Sequence, residues 1–169
     1  AINELQSAGL DQNNMSNMMK SISSSASKGL SRLENSKLLD NASKLPGLLN
    51  TITSSTLKAT KEIKVQGFDP NDSAILGSII EEVISGATES IEEMTMANES
   101  EFDLQKTLSQ IATGAISGAQ KISSNSTISD DIKRKAIETL KEKTSELNIP
   151  NKNSVTLDDL DMTAPILVS

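Results

Sequence analysis

Apolar residues recur every three to four positions through most of the chain, the spacing that lines one face of an α-helix. Met15, Met18, Met19 and Ile22 show it first, inside a Ser/Asn-rich stretch. The run Ser23-Ser24-Ser25 behind them predicts that this helix ends or frays, because hydroxyl side chains compete for backbone hydrogen bonds. Leu30, Leu33, Leu38, Ala42 and Leu45 form a looser stripe. Pro46 interrupts it, since proline lacks an N–H and restricts the residue before it. Leu48, Leu49, Ile52 and Leu57 continue in a second helical piece.

The clearest helix start is Asp69-Pro70-Asn71-Asp72. Asp69 is a suitable cap, Pro70 suits the first helical position, and Asp72 falls in the first turn. Ile75, Leu76, Ile79, Ile80, Val83 and Ile84 then make a wide apolar face, and Gly86 is a plausible stop. Ile91 and Met94 predict a shorter helix. Ser100 is the expected cap of the next, with Glu101 and Asp103 in a first turn whose dipole favours anions. Leu104, Leu108, Ile111, Ala115, Ala119 and Ile122 run down one side of it. Gly114 and Gly118, four apart, predict close backbone packing against a neighbouring helix. Ser129-Asp130-Asp131 caps a last helix carrying Ile132, Ala136, Ile137, Leu140 and Leu147, and Ile149-Pro150 ends it.

The expected fold class is therefore all-α, a single bundle of about five or six helices with a flexible N-terminus and an extended C-terminal tail. Residues 1–27 are expected to be a flexible lead-in with at most one short helix, 28–150 the bundle, and 151–169 an acidic linker or tail. Ile79, Val83, Leu108, Ile111, Ile137 and Leu140 are the predicted core.

Composition narrows the chemistry. The 169 residues include two Phe, at 68 and 102, and no Trp, Tyr, Cys or His. Zinc fingers, cysteine nucleophiles, Ser-His-Asp triads, and haem or iron–sulfur ligation are excluded. Base-stacking platforms are missing too, and a net charge of −7 repels a nucleic-acid backbone. No apolar run approaches a membrane span, and the residues from Ala1 onward are not expected to act as a signal peptide. A first residue other than Met is expected of a mature protein or an excised segment. Ser, Thr and Asn number 26, 13 and 13, a density typical of secreted, structural or linker-like sequences. It would suit disorder as well, but the apolar periodicity opposes that for the middle of the chain.

Charge is unevenly placed. Residues 65–105 hold ten acids and no base, whereas 28–64 hold seven bases and three acids. The plain expectation is a solvated acidic face. A sharper one is that Lys37, Lys44, Lys58, Lys61 and Lys64 face the acidic block, within one molecule or between copies. With no base inside the block, mutual repulsion should raise the pKa values of Glu81, Glu82, Glu89, Glu92 and Glu93, so that mild acid stabilises the fold.

Candidate chemistry is sparse. Paired carboxylates occur at Glu81-Glu82, Glu92-Glu93, Asp130-Asp131 and Asp158-Asp159, but adjacent helical residues diverge and make no dyad. Asp69, Asn71 and Ser73 begin like a calcium loop, yet Ala74 replaces the turn glycine and Ile80 stands where the bidentate Glu belongs. There is no phosphate-binding glycine loop. Sequons start at Asn14, Asn41, Asn71, Asn98 and Asn125, little above what so much Ser and Thr gives by chance, and they permit glycosylation if the chain is secreted. No catalytic, cofactor-binding or metal-ligating residue is assigned, no cofactor is expected, and the chain is not expected to be an enzyme.

The order of these features resembles the repetitive helical domain of spider silk proteins, the spidroins, most closely the aciniform and tubuliform types. The resemblance covers about residues 27–150. Ser27-Lys28-Gly29-Leu30-Ser31-Arg32-Leu33 is similar to the start of a first core helix there. Gly67-Phe68-Asp69-Pro70-Asn71 is similar to a turn opening a middle helix, Ser126-Thr127-Ile128-Ser129-Asp130 to the cap of the last long helix, and Leu147-Asn148-Ile149 to its exit. Asp159-Leu160-Asp161-Met162-Thr163, with Pro165-Ile166-Leu167-Val168-Ser169, resembles the spacer of flagelliform silk. The chain departs from the aciniform and tubuliform pattern in carrying more charge, less Ala and no Tyr.

The resemblance implies a secreted structural repeat module, soluble as a helical bundle in storage and assembled into fibre. It implies copies of itself as partners, in tandem or by self-association, with no nucleic acid, membrane span or small-molecule substrate. The alternative expectation is an extracellular helical interaction or adhesive module without catalytic activity.

Overall fold

The stripes become helices wherever apolar residues return to one face, and no strand forms among the described residues. The computed structural model describes residues 12–35, 42–62, 68–97, 102–123, 129–149 and 155. Six α-helices appear there: α1 Gln12–Asn35, α2 Leu45–Ala59, α3 Ser73–Thr88, α4 Ile91–Ala97, α5 Leu104–Ile122 and α6 Ser129–Glu146. Single 3-10 turns, Ala42–Lys44 and Thr60–Glu62, precede and follow α2. The fold is an all-α helical bundle.

Helix direction can be read from cross-helix contacts. Ser23 meets Val83 and Ser27 meets Ala87, each pair 60 residues apart, so α1 and α3 run parallel and in register. Asn50 meets Gln110 at the N-terminal part of α2 and α5, and Leu57 meets Gly118 nearer their C-terminal ends, so these two are parallel as well. Ser73 with Asp131 and Glu81 with Lys135 do the same for α3 and α6. Gln120 touches Ser129 across the connection between α5 and α6, which makes that pair antiparallel. α1, α3 and α6 therefore point one way and α2 and α5 the other.

α3 lies at the centre, packed against α1, α2, α5 and α6. Its Leu76, Ile79, Ile80, Val83 and Ile84 are fully buried, as are Leu45, Leu49 and Leu57 of α2 and Leu108 and Ile111 of α5. Ile91 and Met94 of α4 close one end. Of the six predicted core residues, Ile79, Val83, Leu108, Ile111 and Leu140 are buried. Ile137 is only partly so, because α6 presents Ile132, Ala136 and Leu140 to the bundle and leaves Ile137 on its flank.

Several expected boundaries move. Ser23-Ser24-Ser25 does not end the first helix. α1 runs 24 residues, through the boundary expected after residue 27, so Ser27–Leu33 lies within a helix instead of starting one. Tertiary packing overrides the modest helix propensity of serine. Pro46 does not break a stripe; it sits in the first turn of α2, where its missing N–H costs nothing. The cap of α3 is Asp72 rather than Asp69, its carboxylate accepting from the N–H groups of Ala74 and Ile75. Asp69 instead accepts from the Asn71 N–H at 2.9 Å and shapes the preceding turn. Asp103, not Ser100, caps α5 through the Lys106 N–H. Gly86 is not a stop, since α3 continues to Thr88.

Leu147 and Ile149 stay buried beyond the end of α6, and Val155 packs partly against the core. The rest of 151–169 and residues 1–11, expected to be a tail and a flexible start, lie outside the described residues. So do Leu38, Lys37, Lys64 and Ser100.

Candidate functional site

The most densely constructed polar feature is the seam where α1 meets α3 and α4. Serines four apart fall on one side of a helix. Ser23, Ser27 and Ser31 are fully buried there, with Ser16 and Ser24 nearly so. The Ser23 hydroxyl donates to the Val83 carbonyl at 2.7 Å and Ser27 donates to the Ala87 carbonyl at 2.9 Å. Ser24 donates to the Glu89 carboxylate, and Ser31 donates to Glu93 at 2.9 Å. Lys20 pairs with Glu82 at 3.7 Å and Lys28 with Glu89 at 3.3 Å along the rims.

Gly86 lets the two backbones meet. A Cβ there would lie 2.5 Å from the Lys20 carbonyl oxygen and 2.8 Å from the Ser24 nitrogen. The same device operates between α2 and α5, as Gly114 and Gly118 predicted. A Cβ on Gly114 would lie 2.5 Å from the Asn50 carbonyl oxygen, and one on Gly118 would lie 2.9 Å from that of Ser54. The sequence pattern carried a signal for the seam too: the Ser23, Ser27, Ser31 spacing. Read locally, a serine run signals a helix end, and that signal hides the seam.

A shallow cleft of about 350 Å³ opens between α3 and α6. Four of its charged side chains pair with one another or with Ser73. Lys135 pairs with Glu81 at 2.7 Å, Arg134 with Asp131 at 2.7 Å, and Ser73 donates to Asp131 at 3.1 Å. Glu81 and Glu82 thus turn to opposite flanks of α3, toward α6 and α1, as adjacent helical positions must. Glu92 likewise accepts from the Asn148 N–H while Glu93 faces Ser31. Asp158-Asp159 lies outside the described residues. Among the described residues no three His, Cys, Asp or Glu side chains gather to hold a metal ion, and no helix is long and apolar enough to cross a membrane.

The charge map corrects one expectation. Among the described residues the acidic block pairs with bases of α1 and α6, namely Lys20, Lys28 and Lys135, and no ion pair joins it to Lys44, Lys58 or Lys61. Lys58 faces a base instead: burial and the neighbouring Lys121 ammonium hold it below its ordinary value of 10.5. The two cations meet because both sit in the last turns of parallel helices, where each dipole favours positive charge.

The expected sign of the acid response changes with it. Burial pushes the Glu89 carboxyl up, but the Ser24 hydroxyl, the Lys28 ammonium and the Lys20 charge together hold it below its ordinary 4.5. A carboxylate with a depressed folded pKa contributes stability above its unfolded value, and loses it as pH falls through the folded one. Thermal melting should therefore change little from pH 7 to 6, there being no His, and fall below about pH 4.5. Ser24→Ala should weaken that acid dependence, by about 1 kcal/mol or less for a rim pair of this kind. A melting temperature that rises between pH 6 and 4.5 would restore repulsion as the dominant effect.

Large apolar side chains also reach the surface: Ile22 is 43% exposed, Leu33 42% and Met96 70%. Searches against protein families, curated proteins and solved structures find no match to this chain. The class defined by the fold is a helical bundle whose helices approach closely through serine and glycine.

Proposed function

We infer that this chain is a structural repeat module of a secreted, silk-like fibre protein, a soluble helical bundle that associates with copies of itself. The observation that carries this is the direction of the helices. α1 and α6 both run parallel to α3, so α1 begins and α6 finishes at opposite ends of the bundle. Copies strung in tandem would follow one another along that axis without the chain doubling back. The close serine and glycine contacts support the same reading, since they add polar and backbone contacts between helices without adding exposed apolar surface.

Two or three copies expressed in tandem test it. The expected result is one helical spectrum per module, unchanged by linkage, and light scattering that rises with protein concentration and with salt as the −7 charge is screened. Strand signal should appear when the concentrated solution is sheared. A chain that remains monomeric from micromolar to millimolar concentration, at low and high salt, is not such a module. The alternative, an extracellular helical interaction or adhesive module, would then stand, with a different molecule as its partner.

A further inference from the structure

α2 and α5 run parallel and meet closely, Gly118 lying against Leu57 and Ser54. Lys58 is four residues beyond Ser54, and Lys121 three beyond Gly118, so each continues the contact line of its helix by one turn. The two ammonium groups therefore meet where the seam ends. Lys61 follows on the Lys58 side, exposed in the turn Thr60–Glu62.

Among the described residues no carboxylate lies within ion-pair distance of these three lysines. Glu62 shares the turn of Lys61, which leaves three positive charges against one. Asp69 and Asp72 come near through the hydrogen bond between Ser123 and Asn71. Their carboxylates, however, accept from the backbone N–H groups of Asn71, Ala74 and Ile75. Burial and the Lys121 charge hold the Lys58 ammonium below its ordinary value, a repulsion that a bound anion would reverse.

Charge complementarity points to an anionic partner within the same sequence. Asp158-Asp159-Leu160-Asp161 puts three acids in four residues, and no base occurs from Asn153 to Ser169. The glutamates of α3 and α4 already have partners inside the molecule.

Reach decides which copy supplies the acids. Gln120 touches Ser129, so the lysines lie at the end where α6 begins. The 18 residues of α6 then carry the chain about 27 Å away. From Ile149 to Asp158, nine residues on, a fully extended chain spans at most about 30 Å. That leaves no slack for Val155, which packs partly against the core. The segment of another copy has no such limit. In a tandem array it arrives where the next α1 begins, which is the lysine end.

We propose that Lys58, Lys61 and Lys121 form the docking site for the acidic segment Asp158–Asp161 of another copy of this chain. This rests on the self-association stated above and specifies one of its contacts. The contact is heterologous, so it propagates along a row of copies instead of closing a dimer. It is electrostatic and exposed, hence weak, and salt opposes it. Association through loss of net repulsion responds to salt in the opposite direction, which makes the two separable.

The probe is a synthetic peptide of residues 153–163, titrated at low ionic strength into the full chain while backbone amide NMR shifts are followed. Saturable shifts are expected at Lys58, Lys61 and Lys121, with an affinity that falls severalfold when salt rises from about 0.02 to 0.2 M. Replacing the three Asp of the peptide with Asn should weaken binding about tenfold or more. The Lys58→Glu, Lys121→Glu double variant should lose the native peptide to the same degree. Both lysines lie outside the core, so its helical spectrum stays native. A peptide with Lys at the three Asp positions should bind that variant instead, which a merely structural defect would not produce.

No shift at the three lysines overturns the proposal. So does an Asn peptide that binds equally well, because charge then does not select the occupant. Lys58 and Lys121 shifts that change on Asp158→Asn in the dilute full chain overturn it in favour of the chain's own tail. Association of tandem copies without peptide binding removes this contact and leaves self-association standing. A chain that neither associates nor binds the peptide removes both.

Discussion

Replacing Ile79 with alanine should lower stability by about 2–5 kcal/mol, the range for truncating a large buried aliphatic side chain. Ile79 is fully buried in α3, the helix that touches α1, α2, α5 and α6, so the cavity would open where four neighbours converge. For a chain of this size that corresponds to a fall in Tm of roughly 5–15 °C. Ile137→Ala removes the same atoms from a partly exposed position on α6 and should cost about 1 kcal/mol or less. Both are read from urea unfolding midpoints at constant slope. A loss below about half a kcal/mol at Ile79 would mean that α3 is not the centre of the bundle.

Glycine-to-alanine substitutions should separate by sign. A Cβ at Gly114 or Gly86 would meet the backbone of the neighbouring helix at 2.5 Å, and backbone cannot rotate away as a flexible side chain can. Gly114→Ala must push α2 from α5, and Gly86→Ala must push α1 from α3. Each should destabilise by about 1–3 kcal/mol, the usual cost of overpacking, and Gly86→Ala should also loosen the Ser23 and Ser27 bonds. Gly47, in the first turn of α2, has nothing within 4 Å. There alanine only reduces the freedom of the unfolded chain and should stabilise by about 0.4–1 kcal/mol. Gly77→Ala meets only Lys135 Cγ at 3.6 Å, an ordinary contact, and should behave like Gly47→Ala. Denaturant unfolding of the four variants checks the ordering; a stable Gly114→Ala protein would refute the α2–α5 approach.

Only some of these glycine contacts are legible in the sequence. Gly114 and Gly118 could be assigned to a helix contact because they repeat at one helical turn inside a long apolar stripe. Gly86 followed an apolar run with no such repeat, and the same residue type at the end of a run is the usual sign of a stop. What overrode that rule was α1, supplying serines small enough to admit the close approach and hydroxyls to bond α3's carbonyls. Nothing local to Gly86 announces that Lys20 and Ser24, far earlier in the chain, pack against it.

The acidic block illustrates the same limit. Its composition, ten acids without a base, implies repulsion as long as the segment is considered alone. Once α1 and α6 lie parallel to α3, Lys20, Lys28 and Lys135 come into register with Glu82, Glu89 and Glu81, and for Glu89 the sign of the shift reverses.

By itself, then, the sequence determined that this protein is all-α, where most helices lie, and which faces of them are buried, because helical periodicity acts over a few residues and is written in consecutive positions. The exclusion of Cys- and His-dependent chemistry came from composition alone. The tertiary structure decided that the serine run is a helix-to-helix seam, that α1 extends from residue 12 to 35, and which carboxylates meet which bases. It also decided that Ile22 and Leu33 remain outside. These depend on pairing between helices distant in sequence, where a hydroxyl, a glycine or a carboxylate acquires its role from the element packed against it.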